Sequence, residues 1–195
     1  MQGRMCLNRY MVIRAKGAAF VKYLRRFVWY LATRLMLLCA VLGLMVVAFY
    51  YSMNATNIYI VLKDGMAKRA QVIMMGEDPA DLTKYFQKNF LEYDSALKAA
   101  EQGSSPYRQY TIRGIDHRLD MKWMWCWPWE DTAKADITES IPRIDGRANS
   151  ASREALLAAG GEESLSPPKW DTASYRAILI RENGQWRIKS LTKTN

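Results

Sequence analysis

Residues 107–129 read YRQYTIRGIDHRLDMKWMWCWPW, and here the period of the chain changes from helical to alternating. Ile115, His117, Leu119, Met121, Trp123, Trp125, Trp127 and Trp129 hold every second position, the mark of one face of a β-strand. The stretch exceeds the ~5–6 residues of an ordinary strand, so a bulge or bend is predicted, with Gly114 the place for it. Pro128 has no ladder donor and should end central pairing. Glu130-Asp131-Thr132 supplies a turn into a second, antiparallel strand over 133–141. Residues 175–181 and 186–192 give the last two strands. Between them Glu182-Asn183-Gly184 reads as a three-residue hairpin loop with Gly184 left-handed, because that register puts Ile178, Ile180, Trp186 and Ile188 on one apolar face. Residues 142–174 are broken by Pro142, Gly146, Gly160, Gly161, Pro167 and Pro168, and are expected as a long loop with one short helix at 152–159.

Helical signals precede the sheet. Ile58, Val61, Leu62, Arg69, Val72 and Ile73 outline a first helix, although Gly65 costs ~1 kcal/mol of propensity. Asp78 offers a cap and Pro79 a first helical position. Leu82, Tyr85, Phe86, Phe90 and Tyr93 make one face of a second helix that should close at Gln102-Gly103. The class is therefore α+β, with helices packed on a curved antiparallel sheet in one domain over 58–195, long enough to bury its own core.

Further upstream the chemistry differs. Residues 1–51 hold eight Lys or Arg and no Asp or Glu, and 35–51 carry no charge. At ~1.5 Å per residue that run covers ~25 Å of a ~30 Å hydrocarbon core, so 27–33 must complete the crossing and a transmembrane helix is predicted over 27–51. The cations cluster before the run and the next is Lys63, which keeps a basic arm, 1–26, on the cytoplasmic side. A tether at 52–57 would then lead to an extracytoplasmic domain. Arg25, Arg26 and Arg34 would meet the inner headgroups, and Tyr50 and Tyr51 the outer interface.

Within the arm, Ile13, Phe20, Val21, Leu24, Phe27 and Val28 recur at helical spacing; an amphipathic helix on the inner leaflet and a disordered positive tail both fit. A cleaved signal peptide fits poorly, because its positive region would be too long and 49–52 offers no small-x-small site. Cys39 follows bulky Leu37 and Leu38, unlike a lipoprotein signal. A mitochondrial transit segment is Arg-rich but would carry more Ser, so a bacterial plasma membrane is the better match. Beyond residue 51, 20 Lys or Arg face 19 Asp or Glu, so the net charge of +9 belongs to the anchor and gives no ground for nucleic-acid binding.

The closing hairpin has the form apolar strand, Asn-Gly, x-Trp-x-Ile, carried by Ile178, Ile180, Asn183, Gly184, Trp186 and Ile188. With helices before a curved antiparallel sheet, it resembles the nuclear-transport-factor-2-like (cystatin-like) cone. That resemblance implies a fold shared by ketosteroid isomerase-like enzymes and by non-catalytic binding and assembly domains. The membrane plan is similar to one branch, the single-span assembly subunits of conjugation and type IV secretion machines.

Two functional classes follow. Trp123, Trp125, Trp127 and Trp129 either line a hydrophobic ligand pocket together with His117, or fill the core of a small curved sheet, or reach toward the headgroups. His117, the only histidine, is the one weak candidate for a general base, against the commoner structural role. Asp116 and Asp120 fall on the opposite face. Cys126 reads as a small buried group, and one His with one outer Cys makes no metal ligand set. Tyr93, Trp170 and the loop arginines Arg143, Arg147 and Arg153 are candidate partner contacts. The leading expectation is a membrane-anchored interaction or assembly module that uses no cofactor, with the bilayer and membrane proteins or further copies of the chain as partners. The alternative is an isomerase-like or ligand-binding cone.

Overall fold

The computed structural model describes the backbone of residues 2–194 and the side chains of residues 23–194. The chain forms two compact units, Met1–Phe49 and Tyr50–Asn195. Helix α1, Gln2–Met75, contributes to both. Within it, Tyr23–Met75 is one helical stretch near the N-terminus that is long and apolar enough to cross a membrane. In the first unit Leu35, Leu38, Leu44 and Val46 are among many exposed apolar side chains. The apolar positions Ile13, Phe20 and Val21 of the basic arm lie outside the described side chains.

The expected tether at 52–57 is helical instead. Nothing in this stretch breaks a helix: Thr56 Oγ1 donates back to the Ser52 carbonyl at 3.0 Å, and Asn54 is buried. In the second unit α1 presents Asn54, Ile58, Leu62, Met66, Ala70 and Ile73 as one buried stripe at helical spacing. Each large apolar member contributes ~1.5–3 kcal/mol on burial.

Where one helix was expected through 79–102, the chain forms three short pieces: a 3-10 turn Pro79–Lys84, α2 Lys88–Tyr93 and α3 Ser95–Glu101. Asp78 does cap the first turn, accepting from the Ala80 amide at 2.9 Å. The first break follows because Tyr85 and Gln87 give their backbone to the sheet. Ile188 N–H donates to the Tyr85 carbonyl at 2.7 Å, and Gln87 N–H to the Ile188 carbonyl at 3.0 Å. The second break is Asp94, an extended residue whose side chain caps α3.

The sheet has four antiparallel strands in the order β1 (Tyr110–Trp125), β2 (Thr132–Ala148), β3 (Ala173–Glu182), β4 (Gln185–Thr194). Its inner face (Ile112, Leu119, Ala133, Ala135, Ile137, Ala177, Leu179, Trp186, Ile188) shares one core with the α1 stripe, Leu82 and Phe86. Three irregularities interrupt β1 against β2. The first, between Ile112 and Gly114, is where the bend was predicted. A second lets β2 carry an extra residue at 141–142, so its inward set passes from Ile137, Glu139 and Ile141 to the half-buried Ile144. Pro142 is tolerated there because β2 pairs with β3 only as far as Glu139. The opening of the expected long loop, 142–148, is thus strand, followed by α4, Arg153–Gly160, which matches the short helix read at 152–159.

The last hairpin departs from the predicted register. Glu182 pairs with Gln185, so the loop is two residues, and both Asn183 (φ 51°) and Gly184 (φ 80°) are left-handed. Leu179 and Ala177, not Ile178 and Ile180, face the core. The turn sets Trp186 and Ile188 opposite Arg181 and Leu179 on the inner face, a bulge at Lys189 then brings Leu191 opposite Ala177, and Arg181 lays its guanidinium over the Trp186 indole at 5.3 Å while donating to Asn54 Oδ1 at 3.2 Å.

Gly65 is placed by close packing. A Cβ there would meet Tyr85 Cβ at 2.9 Å and Ile188 Cδ1 at 3.3 Å. Gly65→Ala gains helix propensity but forces the root of Tyr85 away, so a net loss of about 1 kcal/mol is expected in denaturant titration of the detergent-solubilised protein. An unchanged or raised midpoint would contradict this packing.

Candidate functional site

Polar groups converge beneath the helices where the inner faces of β1, β2 and β3 meet. Side-chain exposure is 5% for His117 on β1 and nil for Glu139 on β2, and His117 Nε2 lies 3.1 Å from Glu139 Oε1. With Glu139 ionised, Nε2–H is the donor. Glu139 Oε2 is buried without a hydrogen-bond partner. Sequence spacing had separated His117 from Asp116 and Asp120, and its actual carboxylate comes from the neighbouring strand, beyond the reach of local alternation.

A second pair lies alongside. Arg69, carried inward by α1, donates from Nε to Asp94 Oδ2 at 2.6 Å and from Nη2 to Oδ1 at 3.1 Å, a two-pronged fit between a buried guanidinium and a buried carboxylate. Asp94 Oδ1 also accepts from the amides of Ala96 and Leu97. Burial opposes its ionisation, but Arg69's hydrogen bond and charge and the two amides outweigh it and hold the carboxyl below its ordinary value. Tyr175 on β3 joins the cluster: burial pushes its phenol up, the charge of Glu139 adds to this, Arg69 opposes and Asp94 adds.

An open cleft of about 480 Å³ adjoins this cluster, lined by Arg69, Asp94 and Tyr175 with Phe90, Tyr93 and Lys189 among its walls. His117 is not part of it. Two further cavities, of about 390 and 260 Å³, lie beside Trp186 and between Arg147 and Arg153. Among the described residues, none of the three is lined by His117 or by an indole of the 123–129 stretch. A general base must come within ~3 Å of a substrate proton, and the His117 side chain, only 5% exposed, opens onto none of these three cavities. Among the described residues there is no group of three or more His, Cys, Asp or Glu placed to hold a metal ion.

Trp123, Trp125, Trp127 and Trp129 lie outside the core and line none of these three cavities: all four are exposed, Trp129 to 70%. The reason is the third irregularity. Met121 pairs with Ile137 and Trp123 with Asp136, so Lys122 is an extra residue and the inward parity changes. Before it Leu119 faces in; after it half-buried Met124 and fully buried Cys126 do, and the indoles turn out. Burial raises the Cys126 thiol pKa, Glu130 adds to this and Arg181 opposes it, which suits an inert packing role.

The expected partner contacts are spread over the surface. Tyr93 is 81% exposed at the cleft rim. Arg143 and Arg147 are exposed on the outer part of β2, with Arg143 opposite Asp116 of β1, and Arg153 opens α4. Trp170 is half-buried, its ring 6.1 Å from that of Tyr107. Arg25 and Arg26 are exposed, Arg34 lies over the Tyr30 ring at 5.3 Å, and Tyr50 is exposed. Tyr51 donates its hydroxyl to the Met124 carbonyl at 3.2 Å. Arg69, Asp94, Glu139 and Tyr175 were missed as a group. Asp94-Ser95-Ala96 was a legible capping signal, read through as continuous helix.

Comparison of the chain with protein-family models, with curated proteins and with solved structures finds no match.

Removing the Asp94 carboxylate would leave Arg69 buried and unpaired, so Asp94→Ala is expected to cost about 3–5 kcal/mol in denaturant titration. The folded carboxyl titrates below the ordinary 3.8, so the unfolded chain binds the proton first as pH falls. Its stabilisation is complete above that value and is lost as pH drops through the folded pKa. Stability measured from pH 6 to 2 should fall over this window, and Asp94→Asn should flatten the fall; an equally steep fall in the variant would contradict the assignment.

Proposed function

We propose that the chain is a single-pass plasma-membrane protein with a cytoplasmic N-terminus, and that its extracytoplasmic domain is a nuclear-transport-factor-2-like cone serving as a non-catalytic interaction and assembly module. The membrane complex it joins is of the kind found in conjugation and secretion machines. The observation that carries this reading is a contrast. The one histidine is held in a buried contact with Glu139, while large aromatic side chains, Tyr93 and Trp123 to Trp129, are exposed. Helices on one face of a four-stranded sheet bent by bulges support the cone. The asymmetry of charge before residue 52 supports the orientation. Function is then positional: a membrane anchor confines the domain to the bilayer and raises its effective concentration for neighbouring membrane proteins.

A second reading is favoured by one observation. The cleft beside Arg69, Asp94 and Tyr175, at about 480 Å³, is large enough for a small ligand. With His117 outside it, this reading is binding without isomerisation.

Crosslinking in native membranes, followed by purification of the full-length protein and mass spectrometry, tests the assignment. Stoichiometric recovery of specific membrane proteins, or of crosslinked copies of the chain, is expected. Recovery of the chain alone with a bound small molecule would overturn assembly in favour of the cleft.

A further inference from the structure

The bulge at Lys122 sends four indoles outward in a run, 123–129, that contains no charged residue. Three of them form a continuous aromatic surface, where Trp125 and Trp127 meet edge to face at 5.3 Å and Trp127 and Trp129 stack at 5.3 Å with 17° between ring planes, and exposed Trp123 precedes them on the strand. Cys126, turned inward and fully buried, holds the run to the core, so the rings are displayed from an ordered backbone. Indoles left in water at such density call for an occupant.

The occupant is indicated by covalent and hydrogen-bond continuity. Tyr51 closes the apolar 35–51 run just before Ser52, and its hydroxyl donates to the carbonyl of Met124, between Trp123 and Trp125. The indoles are therefore within a few side-chain lengths of the point where the apolar run ends. Indole, with an apolar body and one N–H donor, partitions to the headgroup level of a bilayer, and Lys134, exposed and paired opposite Trp125, adds a cation suited to lipid phosphate.

We infer that Trp123, Trp125, Trp127 and Trp129 form a lipid-docking surface that inserts into the phospholipid interface of the leaflet where the span ends. This rests on the membrane reading of 27–51. It adds a second, peripheral attachment to the anchor, and by fixing the 123–129 end of the sheet at the bilayer it orients the opposite parts of the domain toward partners.

The test uses the full-length chain carrying Trp29→Phe, which removes the indole within the span. It is reconstituted into phosphatidylcholine and phosphatidylglycerol vesicles whose acyl chains are brominated near the headgroup. Six indoles remain, and the surface holds four, so roughly half of the tryptophan emission should be quenched. Adding Trp125→Ser, Trp127→Ser and Trp129→Ser should abolish most of that loss. If this variant does not fold, depth profiling of the parent with bromines placed shallow and deep decides instead, and shallow quenching must dominate. Emission untouched by bromolipid but quenched by aqueous acrylamide would overturn docking while leaving the span intact. Shielding from both agents, relieved by diluting protein in lipid, would overturn it in favour of a second copy of the chain. Release of the parent by alkaline carbonate would instead overturn the membrane reading, and docking with it.

Discussion

The domain depends on one stripe of α1. Ile58, Leu62, Met66, Ala70 and Ile73 give the sheet the apolar surface it must cover, with Asn54 buried above them, and the helix that supplies them is α1. Packing that stripe closely leaves no room for a side chain at residue 65. It also carries Arg69 inward, where its charge demands a partner. Asp94 meets that demand and simultaneously starts α3, so a single carboxylate couples the α1 stripe to the helical connection that leads into β1.

Bulges decide the chemistry of the surface as much as its shape. Each extra residue exchanges the two faces of a strand, and one such exchange at Lys122 separates a buried His117 from exposed indoles only a few residues away. A strand that alternates perfectly in sequence therefore has two characters, with His117 buried against Glu139 in one half and an aromatic surface displayed by the other.

The order of elements, the β character of 107–129, the bend at Gly114, the Asp78 cap and the short helix near 153 were legible because each rests on local residue types. The register of the Asn183-Gly184 hairpin was not. Uniform apolarity favoured a three-residue loop, whereas the structure keeps the two-residue turn, sets Arg181 and Leu179 opposite Trp186 and Ile188, and covers the polar member with the Arg181–Trp186 stack. The fate of the indoles was hidden for the same kind of reason: a bulge at a lysine leaves no signature in an alternating pattern. Of the polar cluster only His117 was singled out, since Glu139, Asp94 and Tyr175 come from separate elements and become neighbours only in the folded chain.

A folded domain follows the apolar run that ends at residue 51, and the most direct measurement is the side of the membrane on which that domain lies. Paired reporters fused after Asn195, one active only outside the cytoplasm and one only inside, should give signal from the outer reporter alone. Signal from the inner reporter alone would contradict the account.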